Sequence, residues 1–360
     1  MGTAAAARHA RDPRVNARRL GVLLTLAVLV VAAAFWLARP RTAPRDATVG
    51  VAVLPGLAGR LDAISGIRVL SPAPQPPVTL DRVDGKWRVR ESAYLADAPR
   101  VKRLLVALGE LKVIEAKTAD PARYAALGVE DPSSPGATSV RLDLEGLGAS
   151  IGLIVGHTSG THGTFVRVAG QAQSFEARPG VDLGRTARDW LARGFLDIAA
   201  ARIEAVHVER SGEPAWDAER PERTAAHFNV PNLAHGAELT NAGAADSSAS
   251  AFGNLEFDEV RAAAAAGEKR HRTKLRSYDG LVVSLSANAA GTEHWLALEA
   301  RYDAALAARF AAGAPKDAPA AAQVETEAAE LNATTAGHEY RVPAYRFDAI
   351  FRPRGELLRH

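Results

Sequence analysis

The chain contains no cysteine. Disulfides, thiolate metal sites and cysteine nucleophiles are therefore excluded together. Other chemical signatures are missing too: no HExxH zinc motif, no DxDxDG calcium loop and no CxxC pair occurs in the 360 residues. The stretch GHTSGTHG, residues 156–163, has the glycines of a phosphate loop but no lysine at the required place. It also lies between two strand-like runs rather than before a helix, so it reads as a hairpin tip. Threonine at the centre of GHTSG rules out a nucleophile elbow.

A basic footprint for nucleic acid is absent as well. The net charge is +3, but the first 46 residues carry eight arginines against two aspartates, hence +6, which leaves −3 for the remainder. A slightly acidic body has no electrostatic claim on a phosphate backbone.

What is present begins with an apolar run over residues 20–37, from Leu20 to Leu37, free of charge and of proline. At roughly 1.5 Å per residue it spans about 27 Å, close to the hydrocarbon thickness of a bilayer. Arg8, Arg11, Arg14, Arg18 and Arg19 precede it, and Arg39, Arg41 and Arg45 follow. The excess on the leading side predicts a basic cytoplasmic tail (1–19), a single transmembrane helix (20–37) and an extracytoplasmic remainder. Cleavage near Ala32-Ala33-Ala34, as in a signal peptide, is the alternative, although the apolar run continues through Phe35, Trp36 and Leu37.

Residues 38–77 read as proline-rich linker with short strands. VTLDRVDGKWRV, residues 78–89, predicts a β-hairpin turning at Asp84-Gly85. After Asp97 as N-cap and Pro99 in the first turn, Val101, Leu104, Leu105, Leu108 and Leu111 place one apolar stripe on a helix. A short helix at residues 121–127, closed by Gly128, and a meander of period-two strands from Val140 to Ala177 follow. RDWLARGFLDI, residues 188–198, reads as an amphipathic helix.

The chain then says something twice. GELKVIEAK, residues 109–117, aligns without gaps to GNLEFDEVR, residues 253–261, with Leu111 on Leu255 and Val113 on Phe257. AVHVERSGEPAWDAE, residues 205–219, has the strand–turn–tryptophan–strand order of residues 78–89. These echoes predict an α+β fold of two repeated units, each of antiparallel strands with a packed helix. The first covers 78–200 and the second 201–360, the latter with an alanine-rich, solvated or partly helical insertion at 311–337.

Candidate site residues each have a plainer reading. His157 and His162 share a loop without a carboxylate partner, a poor ligand set. His227 and His235 fall in a presumed insertion. Glu130-Asp131 and Asp258-Glu259 sit beside turns or helix ends, where carboxylates cap or are solvated. Trp87, Trp190, Trp216 and Trp295 stand among apolar residues, as core tryptophans do. No residue is assigned a catalytic, cofactor or metal role.

Taken together, the apolar anchor, VTLDRVDGKWRV, the helix of residues 96–118, PARYAALGVEDP, RDWLARGFLDI, YDGLVV and the closing YRVPAYRFDAIF resemble the Domain of Unknown Function 4340 family. The resemblance implies a bacterial inner-membrane protein with a duplicated extracytoplasmic domain. It further implies partnership with an ABC-type transporter permease of the gliding-motility class and its auxiliary subunit. It implies no catalytic residue. The expected function is non-enzymatic binding or scaffolding; capture of an envelope polysaccharide or lipid is the alternative, and an envelope hydrolase a more distant one.

Overall fold

The hairpin at residues 78–89 forms because its turn has the right backbone chemistry. Asp84 and Gly85 both adopt positive φ, +50° and +75°, the twist that a two-residue hairpin loop needs and that aspartate and glycine tolerate best. The structure, a computed structural model, describes residues 49–231, 233, 236–264, 270–288 and 293–359. Residues 50–360 form one compact unit. The apolar run at residues 20–37 and His235 lie outside the described residues.

The first sheet contains β1 (Gly66–Leu70), β2 (Val78–Val83), β3 (Lys86–Val89) and β4 (Tyr94–Leu95). Helix α1 (Ala98–Glu110) follows, and then β5 (Lys112–Ala116), β6 (Val140–Glu145), β7 (Ile151–Ser159), β8 (Gly163–Val168) and β9 (Ser174–Arg178). Their order across the sheet is β4-β3-β2-β1-β6-β7-β8-β9-β5, and every pairing is antiparallel. Asp97 caps α1 by accepting from the Arg100 N–H at 2.9 Å. Val101, Leu104, Leu105 and Leu108 are buried; each such side chain contributes roughly 1.5–3 kcal/mol by leaving water. The stretch read as linker with short strands supplies a central one: β1 lies between β2 and β6.

A short crossing pair links the two halves: β10 (Gly194–Leu196) with β13 (Leu255–Glu256). The second sheet is built from β11 (Ile203–Glu209), β12 (Trp216–Glu219), β14 (Glu259–Ala262), β15 (Arg270–Ser277), β16 (Leu281–Asn288), β17 (Trp295–Tyr302) and β18 (His338–Arg341). Its order is β12-β11-β15-β16-β17-β18-β14. Remove β3 and β4 from the first sheet and the two orders correspond strand for strand. In both, the chain leaves a hairpin, passes through a helix, reaches the far edge and returns to the middle. Here the helix is the single turn α2 (Asp246–Ser250).

The echoed segments thus meet in equivalent places: β5 and β14 are the far edge strands, with Leu111 and Leu255 both fully buried. The echo between residues 78–89 and 205–219 is displaced. In strand order β11 and β12 stand where β1 and β2 stand, so Trp216 on β12 has no positional counterpart in Trp87 on β3.

One expectation needs correction. RDWLARGFLDI is not a helix but a 3₁₀ turn, Ala187–Trp190, followed by β10. Its backbone is used across the structure: the Asp97 N–H donates to the Trp190 carbonyl at 2.7 Å and the Ala192 N–H to that of Leu95 at 3.0 Å. These bonds hold the segment extended. The alanine-rich stretch, expected as a solvated or partly helical insertion, is partly helical. After α3 (Ala304–Arg309), helix α4 (Ala321–Thr335) packs along β17 and buries Val324, Ala328 and Thr335. β17 pairs with β18 only at Trp295 and Leu296, which leaves its remaining edge open. Asn332 closes that edge by accepting from the Ala300 N–H (2.9 Å) and donating to the Ala300 carbonyl (2.7 Å). A side-chain amide thereby replaces a neighbouring strand, meeting the demand that buried backbone groups be paired. The chain closes with β18 and the short helix α5 (Ala344–Ile350).

The sheets share one core. At their junction Tyr94 of β4 meets Phe257 and Tyr340 edge-on, at 5.4 and 5.7 Å between ring centroids. Phe195 of β10 stacks on Tyr340 at 4.4 Å.

Candidate functional site: a cleft beside the junction of the sheets

The Asp84-Gly85 turn, the start of α1, the segment that precedes β10 and the end of β13 surround a cleft of about 900 Å³. This lies within the range of about 300–1,000 Å³ typical of ligand sites, which favour junctions between packed units. Lys86, Trp87, Arg100, Arg188, Arg193 and Glu256 carry its chemistry.

Most of these side chains are held by neighbours. Arg188 donates to Asp258 at 2.6 Å. Arg193 donates to Glu256 at 2.5 Å and to the Phe257 carbonyl at 3.1 Å. Arg100 lies over the Trp190 ring at 5.2 Å and reaches Asp182 at 3.1 Å. Asp182 is 87% exposed, so this pair is weak and easily exchanged. The cleft's other carboxylates are committed: Asp97 caps α1, and Asp189 accepts from the backbone N–H groups of Arg185 and Thr186, both at 2.9 Å.

Three donors remain without an acceptor among the described residues. The Arg100 Nε is buried and unpaired. Lys86 makes no ion pair or side-chain hydrogen bond. Trp87 is half-buried, and its indole N–H has no partner. The other three described tryptophans differ in this respect. Trp190 donates to the Gly184 carbonyl and Trp216 to the Arg352 carbonyl, each at 3.0 Å. Trp295 donates to Glu293 at 2.8 Å, under the guanidinium of Arg261. Trp190 and Trp216 are core tryptophans as expected; Trp87 and Trp295 are half-buried.

The structure separates the candidate residues drawn from the sequence. His157 touches Thr138 at 3.1 Å and packs close to Gly128, whereas His162 is exposed in the β7–β8 turn. His227 pairs with Asp246 at 2.7 Å. Glu130 accepts from Thr138 and Ser139; burial alone would raise its pKa, but these bonds together hold it below the usual carboxylate range. Asp131 accepts from the Ser133 hydroxyl at 3.3 Å. Asp258 and Glu259 are spent on Arg188 and Arg341. Among the described residues no three histidines or carboxylates gather at metal-binding reach.

The family described as Domain of unknown function (DUF4340) matches residues 87–274, more than half of the chain. The protein is a DUF4340 member. The match includes Trp87, Arg100, Arg188, Arg193 and Glu256, while Lys86 stands one residue before it. No curated protein and no solved structure matches this DUF4340 chain. Sequence reasoning missed the cleft. The available clue was local: Lys86 and Trp87 directly follow a tight-turn signal, which fixes them at the tip of a hairpin.

Proposed function

We propose that this DUF4340 protein is a membrane-tethered, extracytoplasmic binding and scaffold protein rather than an enzyme. In this reading it is an accessory of an ABC-type transporter of the gliding-motility class in a bacterial inner membrane. The order of parts along the chain carries the proposal. An uncharged apolar run from Leu20 to Leu37 stands between arginine clusters, and a single compact unit begins at Gly50. Among the described residues no helix is long and apolar enough to cross a membrane, so the tether is assigned to the earlier run. Fractionation tests this directly. The full chain is expected in the membrane pellet and open to protease added from outside, while a chain lacking residues 1–48 becomes soluble with unchanged circular dichroism. A full chain recovered in the soluble fraction would refute the tether.

A second reading has its own supporting observation. Capture of an envelope polysaccharide or lipid fits the cleft at the junction of the sheets, where Lys86 and Trp87 offer donors that the protein itself does not use and Arg100 is held only by the exposed Asp182.

A further inference from the structure

We infer that the cleft lined by Lys86, Trp87 and Arg100 binds an acidic saccharide. The inference rests on the second reading above and gives its ligand a chemistry.

Hydrogen-bond supply and demand in the cleft point one way. Its carboxylates are engaged: Asp97 and Asp189 by backbone N–H groups, Glu256 by Arg193. The donors left over are the Lys86 ammonium and the Trp87 indole N–H, joined by the Arg100 guanidinium, whose terminal N–H is held only by the exposed Asp182. The complement is therefore a ligand rich in oxygen acceptors. Two of the three donors are cationic, so a negative charge on that ligand is favoured over a neutral one.

Trp87 adds a second requirement. Its half-buried indole lines the cleft, and such a ring offers a flat apolar surface next to a polar N–H. A sugar ring presents C–H bonds on its face and hydroxyls on its rim, and so matches both parts of the indole. A carboxylate-bearing sugar also meets the cations. Simple inorganic anions would satisfy Lys86 and Arg100 but leave the indole face bare. Arg188 and Arg193 are neutralised and held in place by Asp258 and Glu256, so they line the cleft as fixed groups without needing to reorganise.

The test is calorimetric titration of the purified full chain in detergent with a tetrameric oligogalacturonate. A neutral tetrasaccharide and inorganic phosphate serve as controls. The expected result is saturable binding of the acidic oligosaccharide, at least tenfold tighter than either control. Lys86→Ala and Trp87→Ala should each weaken it tenfold or more. Trp87→Phe, which keeps the ring and loses the N–H, should fall in between. Lys86 is exposed, so its replacement leaves the fold intact, and an unchanged melting temperature verifies this. Three results would overturn the inference: no heat up to millimolar ligand, equal affinity for either control, or binding indifferent to Lys86→Ala and Trp87→Phe. Failure here would leave the tether untouched, because fractionation tests that separately.

Discussion

At the scale of single residues, most polar side chains serve to hold the protein together. His271 of β15 is an example with a measurable consequence. Its Nδ1 accepts from the Ser211 N–H at 3.1 Å, and its ring lies 5.6 Å from Phe351 and 5.9 Å from Phe347. Burial lowers its pKa, the nearby Arg210 lowers it further, and Glu213 opposes this weakly. A folded pKa below the unfolded one makes the unfolded chain the better proton binder. The stabilisation from neutral His271 is therefore complete above the ordinary imidazole pKa and is lost as pH falls through the folded value. His271→Asn keeps an acceptor for Ser211 but cannot titrate. Urea unfolding across this pH range should show the wild type losing stability on acidification more steeply than the variant; parallel curves would refute the assignment.

Phe257 makes a contrasting case, because apolar packing dominates it. It is fully buried between Tyr94 and Tyr340 where the sheets meet. Truncation to alanine should cost about 3–5 kcal/mol in chemical denaturation, as for other buried aromatics. The Tyr340 hydroxyl, with its nearest acceptors at 3.4 and 3.5 Å, should matter far less: Tyr340→Phe is expected to change stability by under about 1 kcal/mol. The echo between Val113 and Phe257 is visible in the sequence. That Phe257 would join two sheets is not, since its ring partners come from residues 94, 195 and 340.

At the scale of elements, legibility depended on the strength of the local pattern. α1 could be read because capping, proline placement and a leucine stripe agree. The β2–β3 hairpin could be read from Asp84-Gly85. α4 was obscured by its composition. Val324, Ala328, Leu331 and Thr335 form a helical stripe, but alanine is at home both in cores and on surfaces, so the stripe hardly stands out. Residues 187–198 failed for another reason: a short apolar run does not distinguish helix from strand, and pairing with residues 95–97 decided it. Asn332 gives α4 a specific role that can be tested. Asn332→Ala removes both bonds to Ala300 and should destabilise the protein by about 1–3 kcal/mol. Amide hydrogen exchange at Ala300 should accelerate while the amides of the β11–β15 pair keep their protection. Unchanged exchange at Ala300 would contradict the edge-closing role.

At the scale of the whole molecule, two sheets with corresponding strand orders share one core, and the cleft lies beside their junction. Its lining residues are drawn from positions 85–100, 188–194 and 256, three stretches that no spacing rule connects. The antiparallel strands with packed helices and the family were legible in the sequence, whereas the candidate site emerged only from the topology. The central proposal, a tethered exterior body that serves a transporter, is tested most directly by quantitative co-purification. The full chain is extracted from its native membrane in mild detergent, alongside a copy whose residues 20–37 are replaced by an unrelated membrane span. The account predicts that a transporter permease and its auxiliary subunit are enriched with both forms, which would locate the contact outside residues 20–37. Enrichment of neither protein with either form would contradict it.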